Sequence, residues 1–145
     1  MMRIAGKAKR AIIAAGALGM LTAGVLLPTG TASAQQSWDF RLSNFAGRIT
    51  TVCVQTDVTT QCTGRISSGT SRVYKVPFND PNSFQCIGRF DNLAGAPKTA
   101  YGYKMSRHEF KECLTHRDAG ANQGRLIAKR PDMSETLVGT VDQIH

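Results

Sequence analysis

Three histidines and the carboxylates beside them are the side chains of this sequence best suited to acid–base chemistry or metal binding. His108, Glu112 and His116 recur every four residues, so they would share one face of a helix. An imidazole and a carboxylate one helical turn apart can bind the same metal ion. The two histidines would nevertheless lie about 12 Å apart along the axis, too far to share an ion. An exposed helix face explains the spacing, and we predict no metal site and no cofactor.

Motifs for nucleophilic catalysis and phosphate binding are missing from the sequence. There is no Gly-x-Ser-x-Gly elbow and no glycine loop of the phosphate-cradling type. His108 and Glu109 begin a zinc-protease pattern, but Glu112 occupies the position of its second histidine. We therefore predict that the protein is not an enzyme and has no catalytic residues. The alternative is a small secreted hydrolase or ribonuclease that uses His108 with Glu109 or Glu112.

The four cysteines, Cys53, Cys62, Cys86 and Cys113, carry the chemistry that the sequence supports best. An even number of cysteines in a short chain with an export signal, which residues 1–34 resemble, is typical of a disulfide framework. The sequence contains no Cys-x-x-Cys motif, which would indicate redox catalysis. We expect all four residues to form structural disulfides.

The pairing of these cysteines follows from the expected hairpin. If residues 48–55 and 60–66 pair about a turn at 56–59, Cys53 directly faces Cys62, at a separation that a disulfide accepts. Cys86 then pairs with Cys113 and closes a loop of roughly 27 residues, worth about 3–4 kcal/mol in the chain-entropy model. Four cysteines allow three pairings, and this is the one that we predict.

Residues 1–34 have the features of a cleaved export signal. A basic start is followed by an apolar stretch over residues 11–27, by Pro28, and by small residues at the cleavage position, Ala32-Ser33-Ala34. We predict cleavage after Ala34, which leaves one domain over residues 35–145 and a secreted, extracellular protein. The composition of the signal suggests a bacterial source. An uncleaved membrane anchor is the alternative interpretation.

Removal of the signal also changes the charge. The whole chain has 18 basic and 10 acidic residues and a net charge of +8. Four of the basic residues and none of the acidic ones lie in residues 1–34, so the mature chain carries +4. Such a modest excess favours neither a nucleic-acid partner nor a membrane partner, and we predict neither.

Short runs of β-branched and aromatic residues, separated by turn-forming residues, dominate the mature chain. The runs end at Ser43-Asn44, at the 56–59 turn, and at loops over 77–83 and 91–98. Alternation along the strand at 99–105 places every second residue on one face, which groups Tyr101, Tyr103 and Met105. The tail at 136–144 has helical spacing at Leu137, Val141 and Ile144, but its Thr, Val and Gly content favours a strand. The predicted strands are 38–42, 48–55, 60–66, 72–76, 84–90, 99–105 and 125–129.

One segment has the pattern of a helix. Ser106 and Glu109 form a capping box, and an apolar stripe follows at Phe110, Cys113 and Leu114, with Gly120 as a stop. These signals predict a short α-helix near 107–117, with Cys113 joining it to a strand. The predicted fold is therefore mainly β, a small antiparallel β-sandwich or barrel-like domain with one short α-helix and two disulfides.

A rigid, disulfide-bonded β-domain can bind a partner without a large loss of conformational entropy. We predict a secreted, non-enzymatic protein-binding module, such as an inhibitor or an accessory or adaptor subunit of an extracellular toxin-type assembly. The partner is an extracellular protein, alone or in a larger secreted complex. Segments 35–42 and 136–144 could add strands to a partner's sheet, and loops 77–83 and 119–124 could be presented instead. Trp38 is either a core anchor or an interface hot spot.

Overall fold

The computed structural model describes residues 35–145, so the predicted export signal lies outside the described residues. Nine strands and no α-helix occur in residues 35–145, and no helix there is long and apolar enough to cross a membrane. The strands are β1 (Gln36–Phe45), β2 (Thr50–Gln55), β3 (Thr60–Ile66), β4 (Ser71–Phe78), β5 (Phe84–Phe90), β6 (Lys98–Met105), β7 (Glu112–Asp118), β8 (Gln123–Lys129) and β9 (Glu135–Val141).

Two sheets contain all of these strands. The larger sheet has the order β4-β1-β7-β8-β9 and the smaller one has the order β3-β2-β5-β6. Every strand pair is antiparallel except β1 with β7, which run parallel. The prediction of a mainly β fold with two disulfides is confirmed.

The helix predicted near 107–117 is wrong, because Glu112–Asp118 forms strand β7. Only one turn of the expected helix start exists, in which the N–H of Glu109 donates to the carbonyl of Ser106 at 3.0 Å. Beyond that turn, β7 pairs with β1 on one side and with β8 on the other. Pairing on both sides satisfies the backbone of the segment and outweighs its local preference for helix.

The core lies between the inner faces of the two sheets. Phe40 of β1 stacks on Phe84 of β5 with the ring centroids 5.6 Å apart, so the sheets contact each other directly. Strands β6 and β9 lie close together, since a Cβ on Gly139 would be 2.7 Å from the carbonyl oxygen of Tyr101. The largest fully buried apolar side chains are Phe40, Phe78, Phe84, Phe90, Leu42, Leu126, Ile144, Val52, Val54 and Val76.

The two disulfides join the cysteines that the sequence pairs. Cys53 and Cys62 face each other across β2 and β3 with a Cα separation of 4.1 Å. Cys86 and Cys113 lie 5.8 Å apart at Cα and link β5 to β7. The second bond therefore joins sheet to sheet, and not helix to sheet as predicted. We call the first the face disulfide, because Cys62 is exposed, and the second the inter-sheet disulfide, because both of its cysteines are fully buried.

Asn44 was expected to end the first strand, but it lies fully buried within β1. Its amide nitrogen donates to the carbonyl oxygens of Arg48 at 2.7 Å and Ile66 at 2.8 Å. Its amide oxygen accepts from the N–H of Ala46 at 2.8 Å and from the hydroxyl of Thr115 at 3.0 Å. We call this cluster the Asn44 network. All four partners are satisfied by one side chain, which is why a polar residue can occupy the core here.

Candidate binding surfaces on the two sheet faces

The polar residues that the sequence placed on one helix face are separated in the structure. Glu112 and His116 lie on the outer face of β7 with Leu114 between them, and four residues of strand span about 13 Å. His108 precedes this strand and has its ring edge-on to Trp38, with the centroids 6.3 Å apart. Within the described range, no group of three or more His, Cys, Asp or Glu side chains is placed to hold a metal ion.

Glu112 has a partner that the sequence did not indicate. Glu112 is 5% exposed, and its carboxylate accepts a hydrogen bond from the hydroxyl of Ser43. The Ser43 hydroxyl in turn lies 2.8 Å from the hydroxyl of Ser71. Among residues 35–145, no histidine forms an ion pair with a carboxylate. The structure therefore does not bring His108 together with Glu109 or Glu112 as a bonded pair.

Both terminal segments, which the sequence offered as strands for a partner's sheet, are paired in the protein's own larger sheet. Residues 35–42 contribute most of β1, which pairs with β4 over its first eight residues and with β7 over its last five. Residues 136–144 contribute most of β9, and Ile144 is fully buried. Donation of residues 35–42 would therefore remove β1 from its place between β4 and β7. Strand β9 pairs only with β8 and forms an edge of the sheet, so addition of residues 136–144 to a partner's sheet stays a prediction.

Trp38 packs against the core as a half-buried side chain. The guanidinium carbon of Arg107 lies 5.1 Å from the centre of its ring and 4.9 Å from that of Phe78. A cation between two aromatic rings stabilises this end of the domain. These contacts agree with the interpretation of Trp38 as a core anchor.

The two predicted loops are shorter than expected. Residues 77 and 78 belong to β4, and residues 123 and 124 belong to β8. Pro77 is accommodated because β4 is an edge strand. The remaining loop after β4 is held by Asp57, whose carboxylate accepts from the N–H groups of Asn79 and Asp80 at 3.0 Å each. These hydrogen bonds, that from Asn79 above all, lower the pKa of Asp57.

The outer face of the five-stranded sheet is a surface of compensated charge. Its ion pairs run from strand to strand: Lys75 to Asp39 at 3.1 Å, Arg125 to Asp118 at 3.1 Å and Lys129 to Glu135 at 3.6 Å. Alternating charges of this kind are typical of a solvated sheet face.

The outer face of the four-stranded sheet is different, because none of its strands β2, β3, β5 and β6 contains an aspartate or glutamate. The basic residues of these strands are Arg65, Arg89, Lys98 and Lys104. Asp91 follows β5 directly and pairs with Arg65 at the margin. The sheet as a whole is therefore positively charged, with its acidic counterpart confined to the edge.

An apolar row crosses the centre of this face. Strand register places Cys62, Cys53, Ile87 and Tyr101 side by side on the four strands, and Tyr103 lies beside them. Tyr101 is 65% exposed and Tyr103 is 53% exposed. We call the outward residues of this sheet the docking face. They are Thr51, Cys53, Gln55, Thr60, Cys62, Arg65, Gln85, Ile87, Arg89, Thr99, Tyr101, Tyr103 and Lys104.

Met105 does not belong to this face, although the sequence pattern grouped it with the two tyrosines. In the pairing of β5 with β6, Gln85 lies opposite Lys104 and Ile87 lies opposite Tyr101, so a β-bulge shifts the register between these two pairs. Met105 is consequently buried opposite Phe84, while Tyr101 and Tyr103 remain exposed. A bulge changes which side chains share a face, and simple alternation does not reveal it.

The docking face could have been noticed in the sequence, since the strands at 48–55, 60–66, 84–90 and 99–105 were all predicted and all lack acidic residues. What was missing was the knowledge that they share one sheet. Comparison of the chain with protein-family models, with curated proteins and with solved structures gives no match.

Proposed function

We propose that this protein is a secreted, non-enzymatic binding module that docks onto an extracellular protein through the docking face. The observation that carries the proposal is the separation of charge between the sheets. One outer face balances its charges by ion pairs, whereas the strands of the other have no acidic residue and surround two exposed tyrosines. The partner surface is acidic, because it must complement this charge.

The composition of the docking face supports a protein as the partner. Tyrosine and arginine are enriched at the centres of protein interfaces, while aspartate and glutamate are depleted there. Tyrosine offers a large contact area with little loss of rotamer entropy, and its hydroxyl can form a hydrogen bond at the rim. Tyr101 and Tyr103 are therefore the anchors that we expect to dominate the binding energy.

The scaffold beneath the face supports rigid docking. The face disulfide joins β2 and β3, and the inter-sheet disulfide fixes β5 to the opposite sheet. The side-chain amide of Gln85 also donates to the carbonyl of Gly102 at 2.6 Å, which ties β5 to β6 next to the tyrosines. A surface ordered before binding loses little entropy when it binds. Disulfides are also typical of extracellular proteins, which agrees with the proposed location.

The proposal covers two roles that share this chemistry. An accessory or adaptor subunit of an extracellular toxin-type assembly would hold its partner permanently, and an inhibitor would cover a functional surface of its target. In both roles the partner presents an acidic patch with apolar groups that contact the tyrosines.

The experiment begins with cross-linking in culture medium from the producing organism, followed by mass spectrometry to identify the partner. Binding of the purified pair is then measured by calorimetry for wild type, Tyr101→Ser and Tyr103→Ser. We expect each substitution to raise Kd by about tenfold or more, since hot-spot tyrosines contribute at least about 1–2 kcal/mol each.

Val73→Ser is the matched control, because Val73 is 54% exposed on the opposite sheet, outside the docking face. It should leave Kd unchanged. A loss of affinity in this control together with unchanged binding by both tyrosine variants would place the interface on the other sheet and overturn the proposal. Turnover of RNA or peptide by the pure protein, abolished by His108→Ala, would instead support the hydrolase alternative.

A further inference from the structure

A depression of about 390 Å³ lies on the outer face of the five-stranded sheet, on the opposite side of the domain from the docking face. Leu114 and Ile127 form its floor and Phe45 forms a wall. Leu114 faces outward but is only 3% exposed, which agrees with its place at the bottom of the depression. This volume is within the range of sites that bind small molecules.

Strand register arranges the lining in three parallel rows. Phe45, His116 and Arg125 are direct neighbours across β1, β7 and β8 and form the first row. Leu114 and Ile127 form the middle row. Lys129 lies beyond the middle row, next to Glu135 of β9. Rows are separated by two residues of strand, or about 6.6 Å, so an apolar strip separates two polar ends.

The end of the depression formed by the first row has hydrogen-bond donors to spare. Arg125 donates from Nε to the side-chain oxygen of Gln123 at 3.0 Å and from Nη2 to Asp118 at 3.1 Å. A guanidinium has five N–H groups, so three remain without an acceptor within residues 35–145. The ring of His116 likewise forms no hydrogen bond in the described part of the chain, and it lies beside Arg125 in the same row.

The other end of the depression is less accessible to a ligand. The ammonium of Lys129 lies 3.6 Å from the carboxylate of Glu135, and its side chain is only 17% exposed. Arg125 is likewise paired, with Asp118, but its side chain is 38% exposed and its planar guanidinium keeps three N–H groups free. The depression is therefore asymmetric, with one end suited to an anion and a middle suited to an apolar group.

We infer that the depression binds a small organic acid, in which a single carboxylate is attached to an apolar body of one or two rings. The carboxylate accepts from the free N–H groups of Arg125 and lies beside His116. The body lies over Leu114 and Ile127 and against Phe45. A planar guanidinium recognises a carboxylate through paired hydrogen bonds, which favours this anion over a spherical ion.

The test is a titration of ¹⁵N-labelled wild-type protein, followed by amide chemical shifts, with 2-naphthoate and with its uncharged analogue 2-naphthalenemethanol. We expect saturable shifts for 2-naphthoate at Phe45, Leu114 and Ile127. Arg125→Gln should weaken 2-naphthoate binding by about tenfold and change the weaker binding of the alcohol by less than about twofold. Arg41→Gln, which removes another arginine of the same outer face outside the depression, should leave both affinities unchanged.

Three results would overturn the inference. The first is a linear response to 2-naphthoate without saturation, and the second is a set of shifts centred on the docking face. The third is unchanged 2-naphthoate affinity in Arg125→Gln with thermal unfolding like that of wild type. A variant that fails to fold is replaced by Ile127→Thr, which should weaken both probes by about fivefold or more because it removes part of the apolar floor.

Discussion

Replacing Asn44 with alanine should destabilise the domain severely, because one side chain satisfies four polar groups in a buried place. The substitution leaves the N–H of Ala46 and the carbonyl of Ile66 without their partners, and these residues are 3% and 4% exposed. A buried polar group without a partner costs about 1–3 kcal/mol, so the two together cost about 2–6 kcal/mol. The whole stability of a domain of this size is about 5–15 kcal/mol.

Thr115→Val provides the graded comparison. It keeps the shape of the side chain and removes one donor to Asn44, together with the contact to the hydroxyl of Thr50 at 2.9 Å. The expected loss is about 1–2 kcal/mol. Urea unfolding followed by the fluorescence of Trp38 measures both losses, and the m-value should stay constant. A smaller loss for Asn44→Ala than for Thr115→Val would refute the reasoning, since it would show that water or a local shift replaces the network.

Other predictions concern accessibility, packing and pH. A mild thiol reductant should open the face disulfide before the inter-sheet disulfide, because Cys62 of the face disulfide is exposed. Mass spectrometry after alkylation detects the order in which the two bonds are reduced, and equal rates of reduction would contradict the prediction. Gly139→Ala should lower the free energy of unfolding by about 1–3 kcal/mol through its clash with backbone, whereas Gly95→Ala, with open space around it, should be neutral. Asp57→Asn should be less stable than wild type at pH 7. Since the native pKa of Asp57 is lowered, its ionised form stabilises the fold above the ordinary aspartate pKa of about 3.9. The difference from wild type should close as the pH falls through the native pKa, and urea unfolding at several pH values would show it.

Local patterns were sufficient for much of the sheet structure. The strands at 60–66 and 84–90 have the predicted bounds, and the turn at 56–59 forms as expected, with the N–H of Thr56 donating to the carbonyl of Thr59 at 2.8 Å. The register of this hairpin placed Cys53 opposite Cys62. These features depend on neighbours in the sequence, so the sequence pattern contains them.

Features that depend on distant partners could not be predicted in this way. Phe110, Cys113 and Leu114 have apolar spacing that fits a helix, but the strand at 112–118 is imposed by its neighbours β1 and β8. The same holds for Asn44, whose polarity indicated a turn until four hydrogen bonds showed why it is buried. The docking face also required the strand order, since charge segregation has meaning only when the strands that share a sheet are known.

The parallel pairing of β1 with β7 has a consequence for the order in which the chain can fold. The four strands of the smaller sheet all lie within residues 50–105, but β1 must wait for residues 112–118 before its second neighbour exists. The face disulfide spans nine residues and can close early, whereas Cys86 has no native partner until Cys113 has emerged. During synthesis, Cys86 therefore has no native disulfide partner until 27 further residues have been added. Oxidation that is too rapid would trap it in a wrong bond, and correct maturation depends on thiol exchange that can reverse such errors.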